Sequence, residues 1–340
     1  MSLKQEIINF AKTIGLDKVG FTTAEPFLKE KEILLEKKAN NLISPFEEQD
    51  IDLRCNPERL LPGVKTIICF AISYLIYPYC PSETDPGQDD GRPRGKISRY
   101  AYVNDYHFVL SEKLKEVVAY ISEKERARFK IMIDTGELIE KAAAQRAGLG
   151  WIGQNTCLFT QEFGSWVFLG EILTDIELEP DSPKENRCSG CGRCVKACPT
   201  GALMAPFKIN PYRCLSYITQ KRGLIPREFM RPLGNRIFGC DTCQEACPNN
   251  KNVIIPNHRE FISGDLLETD LLKLVTISKS DFNRVFKNRA AGWRGRNVIR
   301  RNAVCALGNN QHTYSKNVFQ TLTKDSSEIV REQARLSLRS

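Results

Sequence analysis

The 340-residue sequence predicts an α/β (α+β) N-terminal domain, a cysteine-rich middle and an all-α C-terminal segment. Three patterns predict this. Strand-like apolar runs alternate with amphipathic helical stretches through residues 1–180; cysteines gather among Pro and Gly in 181–255; and helical periodicity alone runs through 256–340.

Residues 3–14 read as a helix with Ile7, Ile8, Ala11 and Ile14 on one face, stopped by Gly15, and Lys18 to Phe21 reads as a strand. Val64 to Tyr74 is apolar and β-branched, which predicts a buried strand, whereas Asp85 to Gly95 has the composition of a loop. Tyr106 to Ser122 carries Leu110, Leu114, Val117, Val118 and Ile121 in one helical stripe. A strand over Phe129 to Ile133, a helix over Glu137 to Ala147 stopped by Gly148, and a strand over Ser165 to Leu173 follow. Two helices, Asn297 to Gly308 and Ser327 to Leu338, are similar to one HEAT repeat. A single unit cannot bury its own apolar face, so it is expected to stack on the preceding domain.

The composition, 41% hydrophobic and 26% charged, is that of a soluble globular protein. The N-terminus lacks the apolar core of a secretory signal, and the longest apolar run, Ile67 to Tyr77, falls short of the about 20 residues that span a bilayer. The expectation is a cytoplasmic protein with no membrane segment. The net charge of +8 is confined to one end. Residues 281–340 hold twelve Lys/Arg against four Asp/Glu, and the rest of the chain balances. Between Phe282 and Arg301 lie Arg284, Lys287, Arg289, Arg294, Arg296, Arg300 and Arg301 with no acidic residue among them. Two readings stand: a contact surface for a polyanion such as nucleic acid, or a solvated helical face.

Thirteen cysteines are many for such a chain, and their spacing carries the chemistry. Cys188, Cys191, Cys194 and Cys198-Pro199 follow the C-x₂-C-x₂-C-x₃-C-P spacing of bacterial ferredoxins, in which the fourth cysteine serves the other cluster. Cys240, Cys243 and Cys247-Pro248 repeat the pattern without its first member, for which Cys214 is available. The reciprocal assignment gives Cys188, Cys191, Cys194 and Cys247 to one 4Fe–4S cluster. Cys198, Cys214, Cys240 and Cys243 hold the other. The competing reading is zinc, since C-x₂-C pairs build zinc sites as well; the third cysteine and the doubled Cys-Pro ending favour iron–sulfur. Cys55, Cys69, Cys80, Cys157 and Cys305 are expected to be small buried residues.

Two clusters imply one-electron transfer, and a chain this long implies a further redox or substrate site. Gly148-Leu-Gly150-Trp-Ile-Gly153 fits G-x-G-x-x-G but follows a helix, so it reads as a helix stop and turn. Asp134 ends an apolar strand just before a helix, where active-site carboxylates often sit; the alternative is a helix N-cap. Of the histidines His107, His258 and His312, none lies in D-x-H-x-x-G, the motif by which some corrinoid proteins supply an axial ligand.

Several segments together closely resemble the epoxyqueuosine reductase family over nearly the whole chain. They are Arg54-Cys-Asn-Pro57, Leu60-Leu-Pro62, Ile133-Asp-Thr-Gly-Glu137, Ala147-Gly-Leu-Gly-Trp151, Phe163-Gly-Ser-Trp166, Leu169-Gly-Glu-Ile-Leu-Thr-Asp175, the two cysteine runs, Phe238-Gly-Cys-Asp-Thr-Cys243 and Gly292-Trp-Arg-Gly295. The resemblance implies an oxidoreductase that removes the epoxide oxygen of epoxyqueuosine at the wobble position of tRNA anticodons, using cobalamin and two 4Fe–4S clusters. It implies a nitroreductase-like corrinoid domain, akin also to reductive dehalogenases, and a HEAT-like tRNA-binding end. Asp134 matches the proton donor. Arg54, Ser98, Tyr100, Asp134, Asn155, Thr156, Leu158, Ser165, Trp166, Ser216, Gln220 and Asp241 match the corrinoid surroundings. The corrinoid is expected base-off with no protein histidine ligand, because D-x-H-x-x-G is missing. An apolar corrin face is expected to raise the Asp134 pKa. Lys221, Arg222, Arg294, Arg296, Arg300 and Arg301 are the expected tRNA contacts, the partner beyond RNA is a low-potential electron donor, and the enzyme is expected to be a monomer. The alternatives are a corrinoid reductase of a small molecule, which needs no basic end, and an iron–sulfur RNA-binding protein without chemistry, which would not bind a corrinoid.

Overall fold

A computed structural model describes every residue except 77–90, 135, 263–266, 268, 311–314 and 340. Tyr77, Cys80, most of the loop expected over 85–95, Thr135 and His312 lie outside the described residues.

Four strands form the central sheet: β1 (Lys18–Thr23), β2 (Thr66–Ser73), β3 (Phe129–Met132) and β4 (Val167–Thr174), in the order β1-β2-β4-β3. Every neighbouring pair is antiparallel. The alternation of strands and helices in the sequence therefore builds an α+β layer rather than a parallel doubly wound sheet. β2 is buried along its whole length, which explains its unbroken apolar composition. Its residues alternate between two cores. Ile68, Phe70 and Ile72 face α1 (Leu3–Thr13) and α3 (Tyr106–Ser122). Ile67, Cys69 and Ala71 face α2 (Leu28–Ala39) and α4 (Glu140–Arg146).

The observed helices shorten two expectations. α1 starts at the Ser2 N-cap, whose Oγ accepts the Gln5 N–H at 3.3 Å. α4 begins at Glu140 and not at Glu137, its N-cap Ile139 makes no side-chain cap bond, and Asp134 stands well before it. The helix-cap alternative for Asp134 is thereby removed. Gly148 follows the end of α4 with a φ of +72°, and the short strands Trp151–Ile152 and Leu158–Phe159 pair beyond it, so the G-x-G-x-x-G stretch is a helix stop and hairpin.

Residues 181–255 are mostly loop, carried by short pieces that include α5 (Leu215–Gln220) and the strand Arg236–Phe238, which pairs with Lys96–Ile97. Among the described residues the C-terminal segment holds, after the helices Leu271–Val275 and Lys279–Phe286, three more where the sequence showed two: α6 (Arg296–Asn309), α7 (Ser315–Leu322) and α8 (Glu328–Ser337). They stack on the cysteine-rich part, and one apolar core runs from Ile7 to Ala334.

Two buried side chains pin α6 in place. Arg301, fully buried, donates to the carbonyls of Ile218 and Thr219 at 3.1 Å each, to Lys221 at 2.7 Å and to Gly223. Asn302 donates to the carbonyls of Thr219 at 2.7 Å and Ile237 at 2.6 Å, and its own oxygen accepts from Arg301. Asn302→Ala takes the amide donor from the buried Ile237 carbonyl, leaves the Thr219 carbonyl to Arg301 alone and removes the side-chain acceptor of Arg301. It should lower unfolding stability by about 2–4 kcal/mol in denaturant titration; a loss under about 1 kcal/mol would show that water replaces the amide.

Candidate functional site

The eight cysteines fall into two groups. Cys188, Cys191, Cys194 and Cys247 line one cavity with Gln154, Asn155 and Pro248. Burial raises the Cys247 thiol, and the nearby Cys194, Cys188 and Cys191 add to the shift. In the second group, burial pushes Cys214 up to about 11 with Cys240 and Cys198 beside it, and Cys243 lies within electrostatic reach of Cys240 and Cys214. Electron-rich thiols gathered this closely raise one another, and a cation-bearing cluster reverses that repulsion by binding thiolates. Of the remaining cysteines, Cys55, Cys69 and Cys305 are buried as expected. Cys157 is not an isolated core residue: its thiol hydrogen-bonds Cys243.

The residues expected around a corrinoid divide in three. Tyr100, Ser216 and Gln220 form one polar cluster, with Gln220 Nε2 donating to the Tyr100 hydroxyl at 3.1 Å and to Ser216 Oγ at 3.2 Å. Asp241 joins it by accepting from the Ser98 hydroxyl and from the Arg99 N–H at 2.8 Å. Ser165 accepts from Gln244 at 3.0 Å and from Asn250 at 2.8 Å, and Asn155 reaches the Cys243 carbonyl at 3.5 Å, placing its amide between the two cysteine groups. Thr156 adopts φ +66° and its carbonyl accepts Lys141 at 3.1 Å. By contrast, the side chains of Leu158 and Trp166 pack into the two cores, and Arg54 is tied to Glu47 at 2.9 Å.

Asp134 sits at the end of β3 with φ +43°, a left-handed conformation that costs a non-glycine residue free energy and needs holding. Its N–H donates to Glu140 Oε1. Its carboxylate lies 3.6 Å from His107 Nε2 and accepts from the Tyr106 hydroxyl. His107 is gripped on its other side by Asp105 at 2.7 Å, and with Asp134 this raises the imidazole to about 9. At neutral pH it is an imidazolium. Desolvation pushes the Asp134 carboxyl up, but the His107 imidazolium 3.6 Å away, the Tyr106 hydroxyl and the charge of Lys141 outweigh it, so the group lies below the ordinary range. A cation and a phenol face this carboxyl directly and draw it down.

Behind Asp134 lie two further carboxyls that sequence reasoning does not single out. Burial and the Asp134 charge push Glu140 up to about 8. Glu171 is fully buried, and burial followed by the Glu140 charge raises it well above the carboxylate range. A readable signal exists: Glu171 is the one charged residue in the apolar run of β4. His107 enters the sequence argument only as a metal ligand, whereas here it faces the acid.

The basic end divides into structural and exposed residues. Arg300 is 4% exposed, paired with Asp325 and bonded to the Val275 carbonyl at 2.8 Å, and Arg301 is fully buried. These two expected RNA contacts are corrected: their guanidiniums satisfy carbonyls and a carboxylate inside the fold. Arg289, at 3% exposure, is likewise internal. Arg296 is half-buried and holds the Ile277 carbonyl at 3.0 Å. Arg222 is exposed, and Lys221 is half-buried with its amine lowered by burial and by Arg301. Arg294 lies over the rings of Trp293 at 3.6 Å and Phe46 at 4.5 Å, while Phe46 meets Tyr217 at 5.0 Å. Trp293 is 52% exposed and donates to Gln220 Oε1 at 3.0 Å, which joins this aromatic and cationic surface to the polar cluster.

Comparison with known proteins agrees across the chain. The family described as epoxyqueuosine reductase QueG, DUF1730, matches residues 54–135, and a 4Fe-4S double cluster binding domain matches residues 187–250. An epoxyqueuosine reductase of Bacillus cereus is 42% identical over 309 residues, covering 90% of this chain and 80% of the relative. That of Bacillus subtilis is 40% identical over 340 residues, covering 98% and 86%. A crystal structure of epoxyqueuosine reductase with an epoxyqueuosine-modified tRNA-Tyr stem loop superposes with a TM-score of 0.93 at 39% identity, covering 99% of this chain and 89% of that one. With this identity sustained over nearly its full length, the chain belongs to the epoxyqueuosine reductase family.

Proposed function

We propose that the protein reduces epoxyqueuosine to queuosine at the wobble position of tRNA, with electrons passing through two 4Fe–4S clusters to cobalamin and a proton delivered by Asp134. Family membership supports the reaction. The observation that carries the mechanism is the position of Tyr100. The charges of Asp241, Asp134 and Cys214 all act on this one buried phenol, so the acid and the second cysteine group both lie within electrostatic reach of a single polar cluster. The hydroxyl and amide groups of Ser98, Tyr100, Ser216 and Gln220 suit the amide-fringed edge of a corrinoid. When bound, cobalamin supplies the strong nucleophile or radical-forming centre that opens an epoxide. His107 is engaged by two carboxylates, which supports a corrinoid held without a histidine ligand. The N-terminal half then serves as the nitroreductase-like corrinoid domain and the three C-terminal helices as a HEAT-like support for tRNA. No helix among the described residues is long and apolar enough to cross a membrane.

The known relative with a modified stem loop supports an RNA substrate. The exposed Trp293 and Phe46, with Arg294 between them, suit unpaired anticodon-loop bases, which stack on aromatic and guanidinium planes. Anaerobic reconstitution with cobalamin, followed by epoxyqueuosine-containing tRNA and a reductant, should yield queuosine. Failure of the fully loaded protein to do so would overturn the reading.

The residue roles lead to three expected outcomes. Anaerobically purified protein should carry about eight iron per chain, and Cys214→Ala should lose part of it; full iron content would remove Cys214 from the ligand set. Asp134→Asn should lower turnover by roughly 10²–10⁴. Asparagine tolerates the left-handed backbone, so the loop keeps its shape and the loss isolates the proton; wild-type turnover in single-turnover assays would refute the acid role. Replacing Arg222 and Arg294 with alanine should weaken tRNA binding and reduce the slope of log K against log salt by roughly 0.7–0.9 for each phosphate no longer neutralised. Arg300→Ala and Arg301→Ala should instead lower stability, and an unchanged slope for the first pair would leave that surface outside the RNA interface.

A further inference from the structure

Removing an epoxide oxygen to leave a carbon–carbon double bond consumes two electrons and two protons and releases water. Asp134 carries at most one of those protons, and in the resting site its carboxyl is ionised by His107 and Tyr106. A second source must stand close by and must be able to recharge Asp134.

Glu140 and Glu171 have the geometry for it. Glu171 projects from β4 opposite Cys69 of β2 and Met132 of β3, fully buried, and neither carboxylate oxygen meets a hydrogen-bond donor among the described residues. Its partner is the carboxyl of Glu140 at the start of α4. Two carboxyls facing each other without a donor are tolerated in a buried site only when a proton sits between them. Glu140 in turn accepts the Asp134 N–H, so the same carboxyl that shares this proton also holds the left-handed loop residue.

We infer that the Glu140–Glu171 pair holds one proton at neutral pH, positions the Asp134 loop through Glu140, and is the store from which Asp134 is recharged. The inference rests on the proposed reaction. In it, Glu140 passes the pair's proton to the Asp134 carboxylate, and Asp134 gives it to the departing oxygen. The pair is then two carboxylates until solvent restores its proton, which follows the same route to complete the released water; the corrinoid reductant supplies both electrons. The groups facing the pair are Asp134 from the loop, His107 and Tyr106 from α3, Lys141 from α4, and Cys69 from β2. His107 and Lys141 favour its charged form, while Asp134 opposes it and keeps Glu140 protonated up to about pH 8. Glu140 and Glu171 are positioning residues here, because they act through Asp134.

Infrared difference spectroscopy on the cluster-loaded protein tests the pair without turnover. Near pH 7 the wild type should show a protonated-carboxyl C=O stretch that shifts in D₂O and is lost above about pH 8. Glu171→Gln should abolish that band, because an amide donates to Glu140 and lets it ionise. It should also move the alkaline limb of the pH–rate profile to lower pH, and reduce turnover by less than the roughly 10²–10⁴ expected for Asp134→Asn. Iron content and corrinoid binding should stay at wild-type levels. A wild type that turns over but shows no protonated carboxyl overturns the inference. So does a folded Glu171→Gln protein with the wild-type band or pH profile. A wild type that shows the band but cannot reduce epoxyqueuosine would sink the proposed reaction instead, and if Glu171→Gln fails to fold, the wild-type band alone decides.

Discussion

The interaction on which the rest of the site depends is the buried pair Arg301 and Asn302. Together they satisfy the carbonyls of Ile218 and Thr219 near the end of α5, those of Lys221 and Gly223 just beyond it, and that of Ile237 in the neighbouring strand. A cation at a helix C-terminus meets the negative end of its dipole. The consequence reaches in two directions. α5 follows Cys214 and carries Ser216 and Gln220, and the strand Arg236–Phe238 runs directly into Cys240. One guanidinium and one amide from the C-terminal helices therefore set the spacing between a distant cysteine and the run it must join. Without them, Cys214 would be a lone thiol on a short helix stem.

A second constraint is electrostatic. Around Asp134 the chain gathers one fully buried and one half-buried carboxyl, a phenol, an imidazolium and an ammonium within one small region. Titratable groups crowded in this way push one another's proton affinities apart, and the residue with the strongest donors ionises first. That residue is Asp134, which lies 3.6 Å from His107 and accepts from the Tyr106 hydroxyl. The same crowding keeps a proton on the Glu140–Glu171 pair. The acid at the surface is thus empty at rest while the pair beneath it holds one proton.

Much of this is legible in the sequence, and the failures have physical reasons. The cysteine runs announce themselves because cubane geometry demands short, fixed spacings, and the structure brings Cys214 close to Cys198, Cys240 and Cys243. α3 and β2 follow from strong apolar periodicity. The antiparallel pairing of the sheet is not legible, since alternation of elements fixes their identity and not their direction. Arg300 and Arg301 mislead because a run of like charge looks the same whether it faces solvent or a row of buried carbonyls. Glu171 is easily passed over because an isolated charge in an apolar strand has meaning only when its neighbour is known, and Glu140 lies 31 residues away.

This separation of internal from external arginines also explains how a strongly basic end coexists with a packed core. Burying Arg289, Arg300 and Arg301 would be costly if they were unpaired, but each replaces its water with carbonyl or carboxylate oxygens. They fix the helices rigidly. Arg222 stays in solvent and Arg294 lies across aromatic rings, where a guanidinium keeps its charge while shedding part of its hydration. A cation so placed, on Trp293 and linked through it to Gln220, stands beside the polar cluster and not out on a free surface. Under the proposed function, an RNA loop drawn by the positive charge would meet its stacking partners within one side chain of the groups proposed to surround the reacting base. Attraction, stacking and chemistry would then share one short path, held in register by the internal arginines.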